Sequence, residues 1–202
     1  MKIFTSSLKA ISCLKGLLKE LILRDAMRME ALLLLSNLNL PDSWLAGGFV
    51  RNLVWDYLHG YSSSTGLNDI DIIYFDAENT SKHQEKKFET EISAFIESSC
   101  YLRYQKFSVK NQARMHVINK DKPYVSSCDA MKYWVEKETA VGVRLSEDLE
   151  DGELEIAAPL GLQSLFQGYI TLNNLRPKAL DLIERVEKKR WLQIWPRLEL
   201  KC

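Results

Sequence analysis

No cysteine pair in this chain has the spacing of a metal knuckle or a redox motif. Cys13, Cys100, Cys128 and Cys202 are scattered, with no Cys-x-x-Cys and no Cys/His pattern. That excludes a zinc site or disulfide framework built on local motifs and fits reduced thiols. Net charge is also lacking, since 27 Lys plus Arg balance 27 Asp plus Glu. No global electrostatic footprint therefore argues for DNA or a membrane surface as partner. No apolar run reaches the ~18–20 residues of a membrane span. Residues 8–23 come nearest, but Lys9, Lys15, Lys19 and Glu20 interrupt them and no small-residue cleavage motif follows. They read as an amphipathic helix, and the protein is expected to be soluble and cytoplasmic. Repeats, low-complexity tracts and linkers rich in Pro, Gly or Ser are missing as well. The expected organisation is a helical N-terminal segment, 1–40, ahead of one compact domain, 41–202.

What is present is a pair of carboxylates at i and i+2, Asp69 and Asp71, in LNDIDIIYFD. Ile70, Ile72, Ile73, Tyr74 and Phe75 give this segment strand character. A strand puts i and i+2 on one face, so the two acids project side by side. Adjacent carboxylates repel, and a bound cation or a shared proton relieves them. Oxygen donors with no His or Cys nearby suit a hard ion such as Mg²⁺.

Upstream, Ser43–Ala46 reads as a short buried strand, broken by Gly47-Gly48 and followed by a helical pattern from Phe49 to His59 that Gly60 ends. Glycines between a strand and a helix let the backbone approach a ligand closely, and the helix N-terminus favours phosphate. Arg51, in the first turn, is placed to pair with phosphate oxygens. One unit thus offers anion binding at Gly47-Gly48 and cation binding at Asp69 and Asp71, which a triphosphate carried with Mg²⁺ needs together.

Elsewhere the pattern predicts helices over 8–23, 25–38 (capped by Asp25) and 85–99, and an extended stretch over 101–118. It predicts a short helix from Ser127 or Asp129, strands over 139–145 and 153–159 as a hairpin around the acidic turn SEDLEDG, and helices over 162–172 and 177–191. Glu155, between Leu154 and Ile156, is a candidate third acid if its strand lies next to that of Asp69 and Asp71. Two-metal phosphoryl chemistry uses such a bridging set. Glu153 is the rival, placed at the turn. Lys110 and Arg114, in SVKNQARMH, are candidate contacts to a triphosphate or an acceptor.

These segments carry a resemblance. Apolar-Gly-Gly, a helix, Asp-apolar-Asp on a strand and a later apolar-acid-apolar strand resemble the nucleotidyltransferase superfamily that includes DNA polymerase beta. More narrowly, AGGFVRNLVWDYLHGY, LNDIDIIYFD, SVKNQARMH, TAVGVRL and LEIAAPLGLQSLF resemble a bacterial nucleotidyltransferase-like family, over roughly residues 25–198. The resemblance implies an α+β nucleotidyltransferase fold, a small mixed sheet packed by helices with helical flanks. It implies that Gly47 and Gly48 hold the triphosphate, that Asp69 and Asp71 hold Mg²⁺ and that Glu155 is the third acid. Arg51 and Asn52 match the narrower family's pattern after the glycines. About twenty residues separate Gly48 from Asp69, longer than the compact superfamily pattern.

The expected reaction is transfer of a nucleoside monophosphate from a triphosphate such as ATP to a hydroxyl acceptor, with release of pyrophosphate. The acceptor (RNA, protein or small molecule) and the oligomeric state stay open. The alternatives are a catalytically silent nucleotide sensor on the same fold and an RNA-recognition protein.

Overall fold

Alternation along the segment around the acid pair builds the strand that organises the sheet. The computed structural model describes residues 2–146 and 153–201, with side chains from residue 11 onward. Its five-stranded mixed sheet runs in the order β3-β2-β1-β4-β5. The strands are β1 (Trp44–Ala46), β2 (Ile70–Tyr74), β3 (Phe107–Asn111), β4 (Gly142–Leu145) and β5 (Leu154–Ala157). β1 is antiparallel to both β2 and β4, β4 and β5 form the expected antiparallel pair, and β2 and β3 are parallel. Parallel neighbours need a crossover, and α4 (Lys82–Ile96), capped by Ser81, supplies it.

The two faces of the sheet divide the work. Ile70, Ile72 and Tyr74 point into the main core with Leu45, Val109 and Val143. Asp71 and Ile73 point the other way, where Trp44, Ala46, Ile73, Met131, Ala140 and Ala157 form a smaller apolar cluster. Register lines Asp71 up with Ser108 on one side and with Ala46, Gly142 and Ala157 on the other.

Helices α1 (Lys2–Leu23) and α2 (Ala26–Asn37) bury Leu18, Ile22, Leu32 and Leu35 in the main core. The N-terminal helices therefore share the core of the sheet domain. Asp25 caps α2 by accepting from the Arg28 amide at 3.0 Å, as its position suggests. Helix α3 (Gly48–His59) follows β1 at once and ends at Gly60 in the left-handed region, φ 68°. Among the described residues, no helix is long and apolar enough to cross a membrane.

Four expectations are corrected. The stretch 101–118 is not extended throughout: β3 gives way to α5 (Gln112–Asn119) because Asn111 acts as an N-cap, accepting from the Ala113 amide at 3.0 Å. The helix expected over 162–172 is a single turn, α7 (Gln163–Phe166). Gly168, at φ 73°, then lets the chain enter β6 (Tyr169–Thr171). The helix expected over 177–191 divides at Arg190, φ 54°, into α8 (Ala179–Lys188) and α9 (Trp191–Ile194). A final strand, β7 (Glu199–Lys201), pairs in parallel with β6. The short helix α6 (Ser127–Met131) is present, capped by Ser126 rather than by Ser127 or Asp129. The acidic turn between β4 and β5 lies, beyond Ser146, outside the described residues.

The C-terminal segment is fastened to α3. Trp191 and Trp195 meet Trp55 edge-on, with ring centroids 5.4 and 5.1 Å away. Each such pair contributes about 0.5–1.5 kcal/mol beyond its buried area. Trp195 Nε1 also donates to Asp56 Oδ1 at 2.7 Å. This docking seats Trp195 on the C-terminal half of α3, while Arg185 and Lys189, earlier in the segment, line a cavity with Gly48 at the helix start.

Candidate active site

Gly47 stands between β1 and α3 with φ 64° and ψ −123°, a conformation that favours glycine. Its amide donates to Val141 O at 3.0 Å, and its carbonyl accepts from the Arg51 amide at 2.9 Å. A Cβ there would lie 3.7 Å from Asp71 Oδ2. The turn thus brings the start of α3 against the carboxylate of β2. The first amides of an α-helix have no partner within it and, with the helix dipole, favour an anion.

Asp69 immediately precedes β2 and Asp71 is its second residue. Both line one cavity of about 120 Å³, together with Gly48, Asn52, Arg185 and Lys189. Burial, and then the neighbouring Asp69, push the Asp71 carboxyl above its usual range; Ser108, Lys189 and Lys110 pull less strongly the other way. Two crowded carboxylates of this kind are a hard-cation donor set, so the residues present fit a divalent ion such as Mg²⁺.

The third acid is not brought to them. Glu155 does share the sheet face of Asp71, but β1 and β4 intervene between β2 and β5. Three strand spacings separate the two strands by ~14 Å. Glu155 instead accepts from Arg144 Nε at 2.7 Å. Glu153, its rival, is exposed and pairs with Lys19. Among the described residues, no group of three or more His, Cys, Asp or Glu side chains could hold a metal ion.

Arg51 also departs from expectation. It points inward between the rings of Trp55 and Trp191, 4.8 and 4.3 Å from their centroids. Its Nη1 donates to Thr139 Oγ1 at 2.6 Å and its Nη2 to Asn52 Oδ1 at 2.9 Å. Burial pulls its pKa down to about 10 against the attraction of Glu136, and it stays charged at neutral pH. Its guanidinium is held by the protein, although it contributes to the cavity wall.

Arg114 is likewise engaged away from the acid pair. It grips the buried Glu85 with two bonds, Nε at 2.8 Å and Nη2 at 2.5 Å, clamping α5 to α4. Lys110 does reach the site. It lies on the face of Asp71, pairs with Glu89 at 3.2 Å and lines a second cavity that opens at Asp71.

Sequence reasoning missed the residues that close the site from above. Glu136, 1% exposed, accepts from Arg185 Nη2 at 2.8 Å and Nε at 3.1 Å, and from Thr139 Oγ1 at 2.5 Å. Burial alone would raise its pKa, but Arg185, then Arg51 and Thr139, hold it below the ordinary carboxylate value. Arg185 is thereby fixed at the junction of both cavities, with Lys189 one helical turn further on. The available signal was the i, i+4 spacing of Arg185 and Lys189, which places them on one face.

The profile of the nucleotidyltransferase family matches residues 34–200. The chain belongs to that family. It is a nucleotidyltransferase, an enzyme that uses a nucleoside triphosphate. A solved NMR structure described as revealing a CCA-adding enzyme head domain is 31% identical. It superposes with a TM-score of 0.76, over 91% of this chain and 94% of that one. A CCA-adding enzyme in complex with CTP shares the fold, with 17% identity and a TM-score of 0.55, over 95% of this chain and 43% of that one. No curated protein matches the chain. The mixed sheet with the Gly47-Gly48 turn beside Asp71 is thus the nucleotidyltransferase head architecture.

Proposed function

We propose that the enzyme transfers a nucleoside monophosphate from a Mg²⁺-bound nucleoside triphosphate to a hydroxyl acceptor, releasing pyrophosphate. The observation that carries this reading is one shared cavity. Asp69 and Asp71 line it together with Gly48 at the start of α3 and the cations Arg185 and Lys189.

Asp69 and Asp71 would hold the ion, which when bound neutralises phosphate charge and makes a hydroxyl easier to deprotonate. The first-turn amides of α3, with Arg185 and Lys189, would hold the phosphates. Catalysis then rests on positioning and charge neutralisation. The acceptor oxygen bonds to the α-phosphorus as the bond to the departing pyrophosphate breaks. The acceptor's proton passes to solvent.

Likeness to a CCA-adding enzyme head domain, and to a CTP complex of the same fold, makes CTP and ATP the first triphosphates to test. The experiment supplies α-labelled triphosphates, Mg²⁺ and a cell extract as the source of acceptor. The expected result is stable labelling with matching pyrophosphate release, lost in Asp71→Asn. No labelling and no pyrophosphate with any of the four triphosphates would contradict the reading.

A further inference from the structure

Two cavities meet at Asp71, and they differ in chemistry. The smaller, about 120 Å³, contains Asp69, Gly48 and Lys189. The larger, about 350 Å³, runs over Ile73, Met115, Tyr133 and Trp134, with Gln112 and Asn119 at its wall. Asp71, Thr139 and Arg185 belong to both. The larger volume is at the lower end of small-ligand clefts.

Charge separates their occupants. In the larger cavity each cation already has a carboxylate partner: Lys110 has Glu89, Arg185 has Glu136 and Arg176 has Asp121. In the smaller one Lys189 has no carboxylate ion-pair partner among the described residues, and the start of α3 adds its amides. A polyanion therefore gains most in the smaller cavity. The larger cavity suits a neutral, planar group that stacks on aromatic rings and meets amides.

Resting on the triphosphate reading of the smaller cavity, we infer that the larger cavity is the nucleoside pocket. The base of the incoming nucleotide lies against Tyr133 and Trp134, and the α-phosphate sits at the junction beside Asp71. The acceptor then approaches from outside both cavities.

The test is a binding titration of CTP, ATP and inorganic tripolyphosphate, with Mg²⁺ and no acceptor. It uses wild type, Tyr133→Ala and Met115→Trp, the last filling the pocket from a half-buried position if loss of Tyr133 harms folding. The expected result is at least about fivefold weaker CTP or ATP binding in the variants, from lost stacking or blocked space, with tripolyphosphate affinity unchanged. Unchanged nucleotide affinity, with or without loss of transfer, overturns the inference, because the cavity then serves the acceptor or nothing. Wild type binding neither nucleotide nor tripolyphosphate overturns the triphosphate reading itself, and this inference with it.

Discussion

Gly47 packs against the carboxylate of Asp71: a Cβ on the glycine would stand 3.7 Å from Asp71 Oδ2 and 3.5 Å from Thr139 Cγ2. These are ordinary van der Waals separations, so bulk alone does not demand glycine there. The backbone does, at φ 64° and ψ −123°. Gly47→Ala is expected to lower stability by roughly 1–3 kcal/mol through strain in a region L-residues avoid. Urea unfolding should show a lower midpoint with an unchanged slope. Transfer should fall as the start of α3 shifts from Asp71.

Asp71→Asn and Glu155→Gln separate the site from its expected third acid. Asp71→Asn should lose transfer by more than 100-fold, on the order of the ~3 kcal/mol typical of a removed charge-stabilising group. It should keep or raise the unfolding midpoint, because burial and Asp69 oppose the ionised carboxylate. Glu155→Gln should keep near wild-type transfer, since Glu155 pairs with Arg144 two strands beyond β1. Its stability cost should be about 0–1 kcal/mol, as for other partly exposed pairs. Steady-state pyrophosphate release and thermal melts check both.

Glu136 ties the site to pH. Its carboxyl is held below the ordinary 4.5 despite burial, chiefly by Arg185. A depressed acid stabilises the fold above its unfolded pKa, and that contribution is lost as pH falls through the folded value. Glu136→Gln should therefore cost several kcal/mol at pH 7, because Arg51 is left buried without its counter-charge. The gap to wild type should be full above about pH 4.5 and close progressively below it. Urea unfolding of both proteins from pH 3 to pH 7 tests the sign.

Arg114 tests the opposite kind of correction. Removing it leaves Glu85, 3% exposed, without its cation. Arg114→Leu should destabilise by roughly 3–5 kcal/mol. Triphosphate affinity of the folded fraction should be unchanged, which a titration below the unfolding temperature would show.

Much of this was legible because local pattern and global fold agree around β2. Alternating Ile70, Ile72 and Tyr74 against Asp71 and Ile73 fixed both the strand and its two faces. The Gly-Gly break and Gly60 fixed the helix between the strands. Strand order was not legible: Glu155 has the right residue type and the right face, but adjacency depends on β1 and β4 lying between. Side-chain direction was not legible either. Arg51 looked like a phosphate ligand from its place in the first turn, yet Trp55, Trp191 and Glu136, from distant segments, draw it inward. The direction of Arg185 and Lys189 was hidden for the same reason, because the docking of Trp191 and Trp195 on α3 is a tertiary event.

The central claim is that Asp69 and Asp71 hold a metal-triphosphate at the start of α3. The most direct measurement is Mn²⁺ electron paramagnetic resonance, reading protein-bound metal during titration with CTP. The account predicts that CTP raises Mn²⁺ binding by wild type and that the double variant Asp69→Asn, Asp71→Asn, still folded, loses this bound signal. An equal CTP-dependent signal in the double variant would contradict it.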